Sequence, residues 1–462
     1  MIKTRYLQWM LIGLGLALAT PRASAVDRYV APNGTGGGTS WTDAHSNLIA
    51  MVALAGDNDT VYVTNSAKYY LTNQITLSSA ITVRSWGPGG IYDPTNTIID
   101  ACAPGTTNRH FTLTKYGAKV AGFTLTNGWG ESDGNSNTAS AGSIYLQSGI
   151  VTNCIIMRSY ALGTNSNRGG GGIFLDGSGS GGVWNCTISA NSARSLGGGI
   201  YVKSGGPWRI ANCTISGNSI LVSGGGIYTT LGTAGTIISN CWVVSNYSRD
   251  YVGGIFVVGS ECHNSFIMGN TCKNYAGGGV RIYSNNSGQR ALLRNCLVAN
   301  NVSSDSPSSE SGGGVAALGY SSIQNCTIAS NAAPLGAGGL FIRSATDIQF
   351  ENTIIWGNSG SGTYSNYYLS AGPNTFTNCC ISPRIPGTYA TEVNTITNDP
   401  RFVSTADFRL QLDSPCINAG INQYWMEGAQ DLDGKQRIDN FRKTVDLGAY
   451  EFLGRGTLFK IH

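Results

Sequence analysis

Through the middle of the chain, apolar and polar positions alternate in short runs that repeat nine times. Each run centres on an Asn followed by a small residue: Asn153-Cys154, Asn185-Cys186, Asn212-Cys213, Asn240-Cys241, Asn264-Ser265, Asn295-Cys296, Asn325-Cys326, Asn352-Thr353 and Asn378-Cys379. Three residues before the small position stands an apolar side chain, as in Val151, Val183 and Phe350. Two residues after it stands another, as in Ile156, Ile188 and Ile355. Period-two alternation buries one face, so these runs read as strands. The mean step between units, (379−154)/8, is about 28 residues. Self-similarity at that period marks a solenoid.

The Asn of each unit interrupts the alternation and is therefore expected at a corner. There the nine side-chain amides would bond along the stack as a structural ladder. A second Asn stands five residues beyond the small position in seven successive units, from Asn191 and Asn218 to Asn358. Glycines lead into a further strand before each unit, such as Ile144-Tyr145-Leu146, Ile200-Tyr201-Val202 and Ile255-Phe256-Val257. Three short strands per turn, bent at Gly and Asn, predict an all-β parallel β-helix with coils stacked roughly 4.8 Å apart.

Four segments follow. Residues 1–25 read as an export signal: Lys3 and Arg5, the apolar run Trp9–Ala19, then Ala23-Ser24-Ala25 as a cleavage site. Residues 26–116 form an N-terminal cap and the first irregular coils, 117–381 the regular helix, and 382–462 a C-terminal capping segment. Within the cap, Trp41–Leu54 has helical apolar spacing and a Thr39/Ser40/Thr42 cluster suited to capping. No later segment is long and apolar enough for a membrane helix. The mature chain is expected to be secreted or held at the cell surface.

Removing the signal leaves 29−3 = 26 basic and 25 acidic residues. That balance argues against nucleic acid as a partner, which requires a clustered basic face. Of twelve cysteines, seven occupy the inward small position. In-register neighbours lie farther apart than the roughly 3.8 Å between Cβ atoms that a disulfide prefers, so buried free thiols are expected. Cys262 and Cys272 stand off that column and are possible exceptions. The four scattered histidines, without a paired Cys motif, support no metal site. Asp431, Asp433, Asp446 and Glu451 offer an oxygen-rich set for calcium, the one cofactor candidate. The competing reading pairs these carboxylates with Arg437 and Arg442.

Two constellations carry candidate chemistry. The turn after the second Asn varies in length and presents Arg194, Tyr247, Arg249, Asp250, Tyr251, Lys273 and Tyr275 on one side. In the glycine-led strands, alternation sends Tyr145, Phe174, Tyr201, Tyr228, Phe256 and Arg281 outward. Stacked rings suit the apolar faces of sugars, and Arg281 suits a uronate carboxylate. Rings in register also stabilise a sheet unaided, and long loops can cover them.

The repeats resemble the pectin-lyase-like right-handed parallel β-helix superfamily. The Gly-Gly-Gly-Ile and Asn-Cys-Thr-Ile-Ser-x-Asn phrases are similar to those of polymorphic outer-membrane proteins. The opening (Tyr29-Val30, Ser40-Trp41, Gly56-Asp57) and the closing phrases (Ser414 to Gly420, Asp431 to Arg437, Val445 to Glu451) resemble bacterial surface β-helix proteins of the choice-of-anchor type. The 462−380 = 82 residues after the last repeat are too few for a membrane barrel of a dozen strands, each about 10 residues long. Motifs of the superfamily's polygalacturonases and pectate lyases do not occur. The first expectation is a carbohydrate-binding or adhesive rod for extracellular polysaccharide. The alternative is a polysaccharide lyase, with Arg249, Lys273 and Arg281 neutralising a uronate and removing its C5 proton, and Asp250 orienting one of them.

Overall fold

The computed structural model describes residues 24–65, 67–101, 108–130, 140–163, 168–177, 180–231, 235–305, 311–361, 365–438 and 443–452. The export signal, save Ser24 and Ala25, and Arg442 lie outside them. The chain winds as an all-β, right-handed parallel β-helix of about ten coils, roughly 28 residues each.

The alternation read from the sequence sets the register. Val61, Val83, Val120, Val151, Val183, Ile210, Ile238, Cys262, Leu293, Ile323, Phe350 and Phe376 pair rung to rung in one inward column. Ile99, Leu125, Ile156, Ile188 and their successors to Ile381 form a second. Both columns are buried and belong to one continuous core. Stacking is thus in phase from Val61, well before the first Asn-Cys unit. The parallel strands assemble into sheets of 23, 12 and 9 strands among the described residues. The widest holds both the glycine-led strands and those preceding the Asn-Cys corner. It is continuous because Val315–Gln324 and Leu340–Glu351 run through both positions, their register shifting around Gly319. The smallest is a fourth ladder of two-residue strands, such as Ser192–Ala193 and Ser219–Ile220, directly after the second Asn. It was not anticipated, since two residues are too few to alternate.

All nine Asn residues of the repeat unit occupy left-handed corners, with φ between 47° and 54°. Asn tolerates that region better than other side chains. The expected ladder is only partial there: Asn240 donates to Asn212 at 3.2 Å, Asn295 to Asn264 at 2.8 Å and Asn352 to Asn325 at 3.2 Å. The continuous amide ladder stands one corner later, in the second Asn of each unit. Asn246 is representative. Its Oδ1 accepts from the backbone N–H and side-chain amide of Asn218, both at 3.0 Å, while its own amide donates to Ile215 O and Asn270 Oδ1, both at 2.9 Å. Asn191, Asn218, Asn270, Asn301, Asn331 and Asn358 repeat this pattern. The reason is location. Asn185, Asn212, Asn240 and Asn264 face solvent, and Asn295, Asn352 and Asn378 turn their amides to the C-terminal segment, whereas the second column is buried inside the coils and is saturated by its own members.

At the N-terminal end the helix is shorter than expected. It spans Leu48–Ala53, capped by Asn47, whose Oδ1 accepts from Ala50 N at 3.0 Å. Trp41–Ser46 are turn and bend with His45 bridged to Val30 and Thr35, and the Asp43 carboxylate captures Gly37 N and Thr39 N.

The C-terminal segment does more than close the rod's end. It folds back along the outer face of the strands that follow the Asn-Cys corner. There Phe408, Ala449 and Tyr450 cover Leu297, Ala299 and Ala329, while Leu410, Cys416 and Leu447 cover Ile354 and Cys380. The corner asparagines grip it: Asn295 donates to Gln430 O at 2.9 Å, Asn352 to Ile421 O at 2.9 Å and Asn378 to Ala419 O at 2.8 Å. Arg437 is fully buried between Glu451 (2.8 Å), Gly448 O (2.9 Å) and Asn295 Oδ1.

Asn246→Ala removes four buried hydrogen bonds and should cost about 3 kcal/mol, read as a shift in urea midpoint by circular dichroism. Asn240→Gly, at a corner glycine adopts freely, should stay within about 0.5 kcal/mol. Arg437→Met strands the buried Glu451 and should destabilise by about 3–5 kcal/mol. Limited proteolysis should then release the segment after residue 399 while the coils resist.

Candidate functional site

The glycine-led aromatic column is not an open platform. Tyr145, Phe174, Tyr201 and Phe256 are 5%, 0%, 1% and 7% exposed. The chain entering each glycine-led strand lays Ala141, Leu196, Val222 and Val252 against them. The rings meet one another at 5.1–5.5 Å, stacked or tilted from Tyr145 to Tyr201 and edge-on from Tyr201 to Phe256, as an internal spine. Tyr228 alone of these rings is half-buried. The covering residues were legible as apolar positions just ahead of the glycines.

What faces outward instead comes from the turns. Tyr251 and Tyr275 stack at 5.5 Å with planes 24° apart, and each is about 40% exposed. They come from adjacent coils, whose register pairs Tyr247 with Thr271 and Ser248 with Cys272. That offset of 24 residues also separates the two tyrosines. Against Tyr251 lies Arg281, paired in register with Phe256. Its guanidinium sits 4.8 Å from the Phe256 ring centre and 5.5 Å from that of Tyr251. Its Nε is buried without a hydrogen bond, and no carboxylate forms an ion pair with it among the described residues. Desolvation holds its pKa below the usual range. We call this arrangement the tyrosine shelf.

Beside the shelf, Arg249 binds Asp250 through two 3.0 Å hydrogen bonds, and Asn274 donates to the same carboxylate at 2.9 Å. The hydrogen bonds from Arg249 are the main cause holding Asp250 below the ordinary carboxylate range. Lys273 is exposed and lies 3.8 Å from Asp305. The four residues nominated for lyase chemistry thus sit on neighbouring coils, but their charges are divided. Arg249 and Asp250 neutralise each other, Lys273 faces Asp305, and Arg281 stands apart under Tyr251. Sequence reading missed Asn274, an uncharged residue whose role follows only from the stacking of Asp250's coil on its own.

The four acidic residues considered for calcium are engaged otherwise. Asp431 accepts from Asp433 N and Lys435 N at 2.8 Å and from Glu451 N at 2.7 Å. Asp446 accepts from Asn418 N and Phe452 N, Asp433 pairs with Arg409, and Glu451 with Arg437. Among the described residues no group of three or more His, Cys, Asp or Glu is placed to hold a metal ion. The eleven described cysteines are buried free thiols, Cys262 and Cys272 included.

In fold, the chain is a right-handed parallel β-helix. Residues 121–322 match the family described as a right handed beta helix region. No curated protein sequence matches the chain. Similar solved structures include XylC in complex with xylose, at TM-score 0.52 and 10% identity over 93% of this chain and 99% of that one. Another is pectate lyase Pel9A, at TM-score 0.46 and 16% identity over 92% and 96%. At these identities the likeness is one of fold. Among the described residues no helix is long and apolar enough to cross a membrane.

Cys272 lies directly below the shelf, its Sγ 3.1 Å from Tyr251 O, and burial pushes its thiol up to about 12. The neutral thiol is unreactive. Iodoacetamide at pH 8 should therefore leave Cys272 unmodified in the native protein and label it after denaturation, as read by peptide mass spectrometry.

Proposed function

We propose that the protein is an exported, non-catalytic β-helix rod that binds uronate-containing polysaccharide at the tyrosine shelf. One observation carries the reading: Arg281 is a largely desolvated cation with no carboxylate partner among the described residues, placed against Tyr251, one of two stacked, exposed rings. Leaving a buried guanidinium unpaired is costly unless a ligand supplies the anion. A uronic acid supplies one, and its C–H face matches an aromatic surface.

Binding is favoured over β-elimination by the state of the neighbouring groups. A general base must be free and have a pKa near the working pH. Asp250 is held by Arg249 and Asn274 with its pKa lowered, which stabilises the carboxylate and weakens it as a base. The sequence of Met1–Ala25 supports export.

Arg281→Gln should weaken binding to immobilised polygalacturonate or alginate at least tenfold and flatten its salt dependence, with retention of neutral glucan unchanged. Tyr251→Ala/Tyr275→Ala should abolish retention of both acidic polymers. Absorbance at 235 nm should stay constant during incubation with either polymer. A rise that Lys273→Ala removes would establish the lyase reading instead.

A further inference from the structure

A separate groove of about 330 Å³ opens on earlier coils, on the outer face of the strands that precede the Asn-Cys corner. Register explains it. Ile150, Gly182 and Arg209 stand in one column on successive rungs. The middle rung therefore has no side chain between an isoleucine and an arginine. The gap is enforced by the backbone. A Cβ at Gly182 would lie 2.0 Å from Arg209 O, and one at Gly181 would lie 2.0 Å from Gly149 O.

Two rings border this trench. Trp184 projects from the rung bearing Gly182, with only Thr152 and Ala211 beside it in register. Tyr116 stands at the rim, 71% exposed. Pro207 and Arg209 close the other end. Arg209 donates Nη1 to Gly235 O at 2.7 Å and to Trp208 O at 3.3 Å, and forms no ion pair among the described residues. The groove therefore combines aromatic faces, an apolar floor and one cation; the carboxylate nearest along its column, Glu261, lies two rungs on and is held by His263 at 2.9 Å.

We infer that this groove is a second glycan station, taking one acidic pyranose unit with its C–H face on Trp184 and Tyr116 and its carboxylate on Arg209. Its volume is at the small end of ligand sites, about 300–1,000 Å³, which suits a single sugar unit. The inference shares its ligand class with the shelf reading and rests on that reading for the nature of the polymer, but uses none of the same residues. Two stations on one rod would let a polymer bind more tightly than any short oligosaccharide.

Isothermal titration calorimetry on the full chain tests it, with trigalacturonate as probe and maltotriose as neutral control. Wild type should bind two trigalacturonates and no maltotriose. Trp184→Ala and, independently, the milder surface change Arg209→Gln should each reduce the stoichiometry to one, as should Tyr251→Ala/Tyr275→Ala. Circular dichroism should match wild type in every variant. If the tyrosine pair leaves binding intact while Trp184→Ala removes it, the groove stands and the shelf reading falls. A wild-type stoichiometry of one that only the tyrosine pair abolishes overturns the groove. So does equal binding of maltotriose, absence of trigalacturonate binding, or an unchanged stoichiometry in a natively folded Arg209→Gln.

Discussion

An amide inside a protein has two protons to give and two lone pairs to fill, and water cannot help. The second Asn of each unit meets that demand through its counterparts in the coils on either side. A single such residue would be a liability in the core, because any missing partner leaves a desolvated polar group. A column of them is self-consistent only when every coil has the same length between corners and the same rise. The ladder therefore fixes where each coil turns. The inward Val, Ile and Leu columns supply most of the burial, yet alone they would tolerate slippage of one rung's side chains against the next.

With the corners fixed, variation falls on the other two turns: the one after the glycine-led strand, from seven residues between Thr229 and Ile237 to none within Val315–Gln324, and the one between the two-residue ladder and the glycine-led strand. The second of these builds the shelf. Its backbone still stacks for part of its length, as in the 2.8 Å bond from Asn274 N to Arg249 O. That partial order is what places Tyr251 over Tyr275 and sets Asn274 against Asp250. The same turn covers the older aromatic column with Leu196, Val222 and Val252, so the residues above it, not the column, meet the solvent.

Much of the fold was legible because strand alternation is local and repeated. Val151 and Ile156 sit where their spacing puts them, and the corner at Asn153 was forced by the break between them. Which of two Asn columns carries the ladder was not legible, since both recur at the same period. They differ in what lies outside them, solvent or the C-terminal segment for the first column and the neighbouring coils alone for the second. The exposure of the aromatic column failed for a related reason. Alternation says that Tyr201 leaves the coil, but not that Leu196 returns over it. The shelf was half visible: Tyr251, Tyr275 and Arg281 were each singled out, while their convergence needed the 24-residue offset of that one coil.

The lateral C-terminal segment has a consequence for how such a rod can change its length. It engages Asn295, Asn352 and Asn378, three anchor points whose separations are set by whole coils. Inserting or deleting a coil between them would displace the anchors by roughly 4.8 Å per rung and leave the segment out of step. Among the described residues, no corner Asn ahead of Asn295 donates to that segment. Duplication in evolution, or grafting by an engineer, is therefore free to lengthen the rod near its beginning and is forbidden near its end.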